Sequence, residues 1–217
     1  MNILKQITAG FTLTAMMIFS PFAMSDVEGS VGLSSDYFWR GMSQNAGDLA
    51  ADFGIEASSG RFYGGVWASQ VNLDNADAVT ASLEYDIYAG VNLVSRSDFT
   101  LDLGVIQYNW DHGFDDAEEV FLSASYKMVG VTYYKDRDNW RNSFLEVGYE
   151  VPFVDVVDMS INYGKFDNGD KMYSINIAKN LSDQIVLSGM LVKGPKEHWS
   201  DVNFSRSNVA VGIHYNF

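Results

Sequence analysis

Between residues 79 and 94 the side chains alternate along the chain. Val79, Ala81, Leu83, Tyr85, Ile87, Ala89, Val91 and Leu93 fall on one side; Thr80, Ser82, Glu84, Asp86, Tyr88, Gly90, Asn92 and Val94 fall on the other. A period of two over that length demands an extended strand with one apolar and one mainly polar face. The last residues repeat it, with Val209, Val211, Ile213, Tyr215 and Phe217 opposite Asn208, Ala210, Gly212, His214 and Asn216. So do Tyr173, Ile175, Ile177 and Leu181, and Leu145, Val147, Tyr149 and Val151.

Such stretches recur at 27–42, 49–58, 61–70, 79–94, 97–108, 118–127, 129–135, 142–151, 155–165, 171–181, 183–193 and 206–217, about twelve in all. Ten or fourteen strands also fit, if 129–135 merges with a neighbour or a loop hides a hairpin. Short connections (Ser59-Gly60, Ser95-Arg96, Met128, Pro152-Phe153, Ser182) alternate with longer polar ones (43–48, 71–78, 109–117, 136–141, 166–170, 194–205). Short turns at one end and longer loops at the other are how transmembrane β-barrels are built, and an even strand count puts both termini at the short-turn, periplasmic end.

Residues 1–25 read as a cleaved signal peptide. Lys5 precedes an apolar run from Ile7 to Phe22, and Ala23 and Ser25 are spaced for a peptidase before Asp26. The barrel then occupies 26–217. No apolar run after residue 25 is long enough for a membrane helix, so an exported chain of this kind is either soluble or a closed barrel. The polar faces favour the barrel: acids stand in mid-strand among Gly, Ser and Asn, as in a wet lumen. Aromatics gather near strand ends, with Phe62, Phe99, Tyr126, Phe153, Tyr215 and Phe217 at the short-turn side and Tyr108, Trp110, Tyr134 and Trp140 opposite, as in the girdles at membrane interfaces. The expectation is an all-β, antiparallel, up-and-down transmembrane barrel in the bacterial outer membrane. Its partners would be membrane lipid, lipopolysaccharide, small solutes, and the assembly machinery that reads a last strand ending in Phe217.

Composition closes off other classes. With 28 acids against 14 bases the formal charge is −14, which excludes a nucleic-acid surface built on clustered Lys and Arg. The absence of cysteine excludes disulfides, thiolate metal sites and a Cys nucleophile. Nothing in the pattern calls for a cofactor.

The stretch SSDYFWRGMSQNAGDLAADFGIEASSGRFYGGVWASQVN at 34–72 resembles the TorF-type porins, a proteobacterial group of conserved proteins of unknown function. Ser35-Asp36-Tyr37, Arg40-Gly41, Ser43-Gln44, Gly60, Phe62-Tyr63 and Gly65-Val66-Trp67 carry the likeness. Arg61 departs from it, standing where an aromatic would follow Gly60 directly. The resemblance implies an outer-membrane barrel of porin type and no particular substrate.

Strand parity puts Asp36, Arg40, Asp52, Glu56, Glu84, Asp86, Asp102, Glu146 and Glu150 on the inner face, with Glu28 and Asp158, against Arg40, Lys127 and Lys165 as bases. Asp36 and Arg40 would share the first strand near the outer mouth. There Arg40 could pair with Asp52 or Glu56 across a hairpin, forming either a charged constriction or a structural ion pair. Unpaired acids in a water-filled pore repel anions and concentrate cations, which suggests passive diffusion of small solutes with a cation preference. The loop around Asp111, Asp115, Asp116, Glu118 and Glu119 reads as a solvated acidic rim, as do Asp74 and Asp77, and no metal site is expected. Rival readings are a plugged barrel with a structural or binding role, a secreted soluble β-protein, and an outer-membrane enzyme using His112, His198 or His214. No nucleophile motif accompanies those histidines.

Overall fold

The alternating stretches pair in sequence order until the sheet closes on itself. The computed structural model describes residues 26–74, 79–137, 142–152, 156–195 and 208–217. The expected signal peptide, Asp77, Trp140, Phe153 and His198 lie outside the described residues. The barrel strands are β1 (Asp26–Ser34), β4 (Ala50–Ser59), β5 (Phe62–Asp74), β6 (Thr80–Ser95), β7 (Phe99–Trp110), β8 (Ala117–Tyr126), β9 (Val129–Asp136), β10 (Ser143–Glu150), β11 (Asp158–Phe166), β12 (Lys171–Asn180), β13 (Ile185–Lys193) and β14 (Val209–Asn216). Each is antiparallel to its neighbours, and β1 closes the ring against β14 with Ser30 opposite Asn216 and Ser34 opposite Gly212. Gly29 and Phe217 exchange backbone hydrogen bonds of 2.9 Å at the foot of that seam. Two further short strands, β2 (Phe38–Trp39) and β3 (Met42–Ser43), form a separate hairpin.

Burial follows the pleat. Val27, Val31, Leu33, Phe53, Ile55, Ile87, Leu103, Val105, Leu122, Ile161, Ile177, Leu187, Leu191, Val211 and Ile213 all point outward and are exposed. A continuous apolar belt of this extent far exceeds the patches a water-soluble protein tolerates. It suits hydrocarbon, and closure leaves no strand edge with unpaired backbone groups there. Outward aromatics stand at both rims: Phe62, Phe99, Tyr126, Tyr215 and Phe217 at the short-turn end, Tyr85, Tyr133 and Tyr173 toward the long-loop end. Tyr108 and Tyr134, expected in the upper girdle, are instead buried on the inner face, and Trp110 packs inside as well. The residues preceding them on the other face, Gln107 and Tyr133, are exposed, so parity decides their side and proximity to a strand end does not.

Two local departures correct the alternation. The β5–β6 register shifts between Gln70 and Leu73, so that Gln70 faces Leu83 but Leu73 faces Ala81. The extra residue of this bulge turns Ala81 inward to full burial, on the side where Ser82 was expected. Asp111 braces the site: its carboxylate accepts from the Ser82 amide at 2.9 Å, the Leu83 amide at 3.2 Å and the Ser82 hydroxyl at 2.7 Å. These bonds hold the Asp111 carboxyl well below the usual carboxylate range, the Ser82 hydroxyl contributing most. A second shift lies between Asn92 and Val94.

The larger correction concerns the first strand. The expected span 27–42 ends at Ser34. Tyr37-Phe38-Trp39 places a large aromatic on every side of the chain, which suits neither lipid on one face nor water on the other. Arg40 and Gly41 both have positive φ, 47° and 86°, the pair of conformations that a two-residue hairpin turn requires. The chain therefore turns back at Arg40-Gly41 and folds into the barrel.

Candidate functional site

The hairpin sits in the half of the lumen nearest the long loops. Phe38 packs at the centre of a buried cluster with Ile106 and Tyr108 of β7, Phe121 of β8, Tyr134 of β9, Phe144 of β10, Met172 of β12, Met190 and Val192 of β13 and Ala210 of β14. A second cluster joins Tyr37 to Ala50, Val71, Leu73 and Ala81. Inner positions that are small and polar elsewhere are thus apolar where the hairpin meets the wall. Glycines leave room for the wall's rings: a Cβ on Gly104 would collide with Phe121, and one on Gly164 with Phe144. The turn is equally tight, since a Cβ on Gly41 would lie 2.7 Å from the backbone of Gly194.

Polar contacts fix the hairpin's position. The Ser43 hydroxyl donates to Asp36 at 2.7 Å across its base. The Tyr37 hydroxyl donates to Glu84 of β6 at 3.2 Å. The Gln44 carbonyl accepts from the Asn72 amide at 2.8 Å, and the Ser35 amide donates to the Val211 carbonyl of β14 at 2.8 Å. Asn45 closes the return by donating to the carbonyls of Asp48 and Leu49 at 3.0 and 2.7 Å.

Arg40 is the hub. It is 3% exposed, and its two terminal nitrogens donate to the two oxygens of Glu119 at 2.8 and 2.6 Å. Its guanidinium carbon lies 4.5 Å from the Trp39 ring, 4.7 Å from Tyr134 and 4.5 Å from Phe144, so carboxylate and π-faces both recognise it. The Tyr108 hydroxyl adds a bond to Glu119 at 3.0 Å. The partner is thus neither Asp52 nor Glu56, which lie on the strand next to β1 but away from the in-folded turn. Glu119, assigned from its neighbours to the solvated acidic loop, is buried on the inner face of β8. Its parity with the inward Phe121 was the signal that could have found it. Glu118, one residue away, faces out and pairs with Arg137.

The other expected inner residues are placed as follows. Glu84 and Asp86 are buried on β6, Asp102 on β7 and Glu146 on β10. Among the described residues, neither oxygen of Asp86 nor Oε2 of Glu146 has a hydrogen-bond partner. Asp52 and Glu56 alternate with outward Phe53 and Ile55 on β4, and Asp52 lies 3.9 Å from Nδ1 of His214. Tyr88 donates to Glu56 at 3.0 Å and Tyr63 to Asp102 at 2.6 Å. Glu150 and Asp158 follow the inward parity at the short-turn mouth, although Glu150 is exposed there. The bases differ from expectation. Lys165 is exposed on the outward parity of β11, and Lys127 sits in a turn with its ammonium over Tyr126 at 5.3 Å. Among the described residues, Arg40 is the one Lys or Arg inside the barrel. His112 is exposed beside Asp111 at 3.2 Å, and the described residues contain no cluster of three or more metal-ligating side chains.

Toward the short turns the inner face changes character. Thr100 and Ser125 bond at 2.8 Å, Ser123 and Thr132 at 2.9 Å, and Asn162 donates to Ser174 at 3.2 Å. These small polar groups bond to one another along the wall.

A barrel with this apolar belt and polar lumen has solved counterparts. The KdgM porin, alone and in complex with disordered oligogalacturonate, superposes with a TM-score of 0.58 at 10% identity, covering 89% of this chain and 99% of that one. The outer membrane phospholipase A from Escherichia coli gives 0.49 at 16% identity, covering 88% and 92%. No curated protein sequence matches the chain. The profile of a bacterial family of unknown function, Gcw_chp, matches residues 18–176, and the chain belongs to that family. It is an outer-membrane β-barrel: a bacterial chain with a closed sheet and an apolar outer belt belongs in that membrane.

Proposed function

We propose that this barrel is a porin-like channel through which small solutes diffuse passively, with a preference for cations. One observation carries the reading: among the described residues the inner-parity acids Asp36, Asp52, Glu56, Glu84, Asp86, Asp102, Glu119, Glu146 and Glu150 face one inner Lys or Arg, Arg40, which Glu119 already neutralises. Fixed charge of one sign in a wet, low-dielectric conduit raises the local concentration of counter-ions and excludes co-ions. The porin-type fold and the TorF-type resemblance at residues 34–72 support the channel. The signal peptide at 1–25 delivers the chain, the strand ending in Phe217 engages the assembly machinery, and the acidic long-loop rim meets lipopolysaccharide through divalent ions.

The hairpin favours a second reading, a plugged barrel with a binding or structural role. Planar-bilayer recording on refolded protein under a salt gradient separates the two, with heat-modifiable gel mobility showing that a barrel has formed. Discrete current steps with a cation-selective reversal potential are expected. Anion selectivity would overturn the role of the inner acids, and a folded barrel without current would establish the plug.

A further inference from the structure

We infer that the wall around Arg40 is a binding site for guanidinium-bearing small cations, and that Arg40 is its tethered occupant. This deepens the channel reading by naming a solute class, and it stands on three observations.

The first is the shape of the site. A planar cation is held edge-on by a bidentate carboxylate and face-on by rings, and the wall supplies Glu119, Tyr134 and Phe144 for this without help from the hairpin. Such geometry distinguishes a guanidinium from an ammonium, which has no plane to stack and no fork to match.

The second is unused capacity. Nε of Arg40 has no partner among the described residues, and neither does Oε2 of Glu146 or either oxygen of Asp86, a side chain with 0% exposure. Glu146 lies close enough to the cage to interact electrostatically with Arg40, and Asp86 with Glu119. The wall therefore presents more acceptor than its resident can use, at a depth where an unsatisfied carboxylate is costly.

The third is the strain in the tether. Arg40 has φ of 47°, a left-handed conformation that costs a residue bearing a side chain what it does not cost glycine. The ion pair and ring contacts compensate for this only while Arg40 remains in the cage. A free solute makes the same contacts without it.

A soluble guanidinium thus competes with a resident of finite local concentration, and displacing Arg40 releases the hairpin from the lumen. The test uses the refolded full barrel in detergent, titrated calorimetrically with methylguanidinium, with methylamine and sodium chloride as matched-ionic-strength controls. Removing the tethered competitor by Arg40→Ala is expected to tighten methylguanidinium binding by about tenfold or more, with methylamine left weak. Adding Glu119→Gln should abolish the gain. Equal binding to wild type and Arg40→Ala, or a gain that survives Glu119→Gln, overturns the inference.

Should Arg40→Ala fail the gel-mobility test, wild-type protein decides. Methylguanidinium, and not methylamine, must accelerate amide exchange at Met42 and Gln44, whose N–H groups lie in the hairpin's hydrogen-bonded pairs; no such difference overturns the inference. Neither measurement needs a current. A barrel that conducts without binding defeats this inference alone, and one that binds without conducting defeats the channel alone.

Discussion

The two halves of the lumen share one strand parity and opposite chemistry. Near the long loops, inner positions such as Ile106, Phe121, Phe144, Met172, Met190 and Val192 are apolar and closed over by the hairpin. Near the short turns the same parity carries Ser123, Ser125, Thr132, Ser160 and Asn176, bonded along the wall. The first half is a protein core turned inside out, stabilised by burial. The second is a lining of small polar groups joined by local hydrogen bonds. Inner polarity therefore tracks the hairpin: small polar residues line the end it leaves free, and rings, aliphatic side chains and a few buried acids line the end it fills.

The contrast is broken most completely by replacing residues 37–44 with a flexible Gly-Ser segment of equal length. Single-channel conductance should rise several-fold, because the narrow half then becomes as open as the wide half. Unchanged conductance would mean that the hairpin does not set the constriction. Next in size is Glu119→Gln, which strands a buried guanidinium and is expected to cost about 3–5 kcal/mol of hairpin docking, read as lost amide protection at Met42 and Gln44. Gly41→Ala puts a side chain at a φ of 86° and against the Gly194 backbone. It should loosen the same amides by about 1–2 kcal/mol for the backbone conformation alone, with more from the collision. In the wet half Tyr63→Phe removes one bond to Asp102, worth about 1 kcal/mol, and should leave conductance nearly unchanged. A large change there would erase the distinction between the halves.

The smallest effect concerns the brace at the β5–β6 bulge. Hydrogen bonds lower the Asp111 carboxyl in the folded state, so its contribution is complete above the ordinary aspartate value of about 3.9. It is lost as pH falls through the lowered folded value. Protection of the Ser82 and Leu83 amides should therefore persist at mildly acidic pH and fail in strong acid. Asp111→Asn should weaken it at every pH.

The strands were legible because lipid on one side and a lumen on the other impose a period of two, and the ends of β6, β8, β9, β12 and β13 fall within a few residues of their alternating stretches. The hairpin was not, because alternation carries on formally through Asp36, Phe38 and Arg40 even after the chain has left the sheet. Two local signals stood there: a residue followed by Gly between paired bulky residues, and aromatics on successive positions with no polar face. Glu119 was hidden by the acids beside it, since charge density suggests solvent while parity pointed inward. Tyr108 and Tyr134 were misplaced for the converse reason: a ring near a strand end has two apolar destinations, lipid and plug, and composition does not choose between them.

The closing seam has a bearing on how the molecule comes to exist. β1 pairs with β4 along its whole length, but its union with β14 brings together residues from opposite ends of the chain, the kind of contact that forms late. The stem of the hairpin continues that seam, through Ser35 and Val211, and Ala210 of the same last strand lines the hairpin's pocket. The pocket is incomplete until the ring shuts, so the hairpin cannot seat fully before the last strand arrives. Closure and seating of the hairpin are then coupled, like a cooper fitting the head as the final hoop is driven. Variants that fail to seat the hairpin should betray themselves first as slow or faulty assembly.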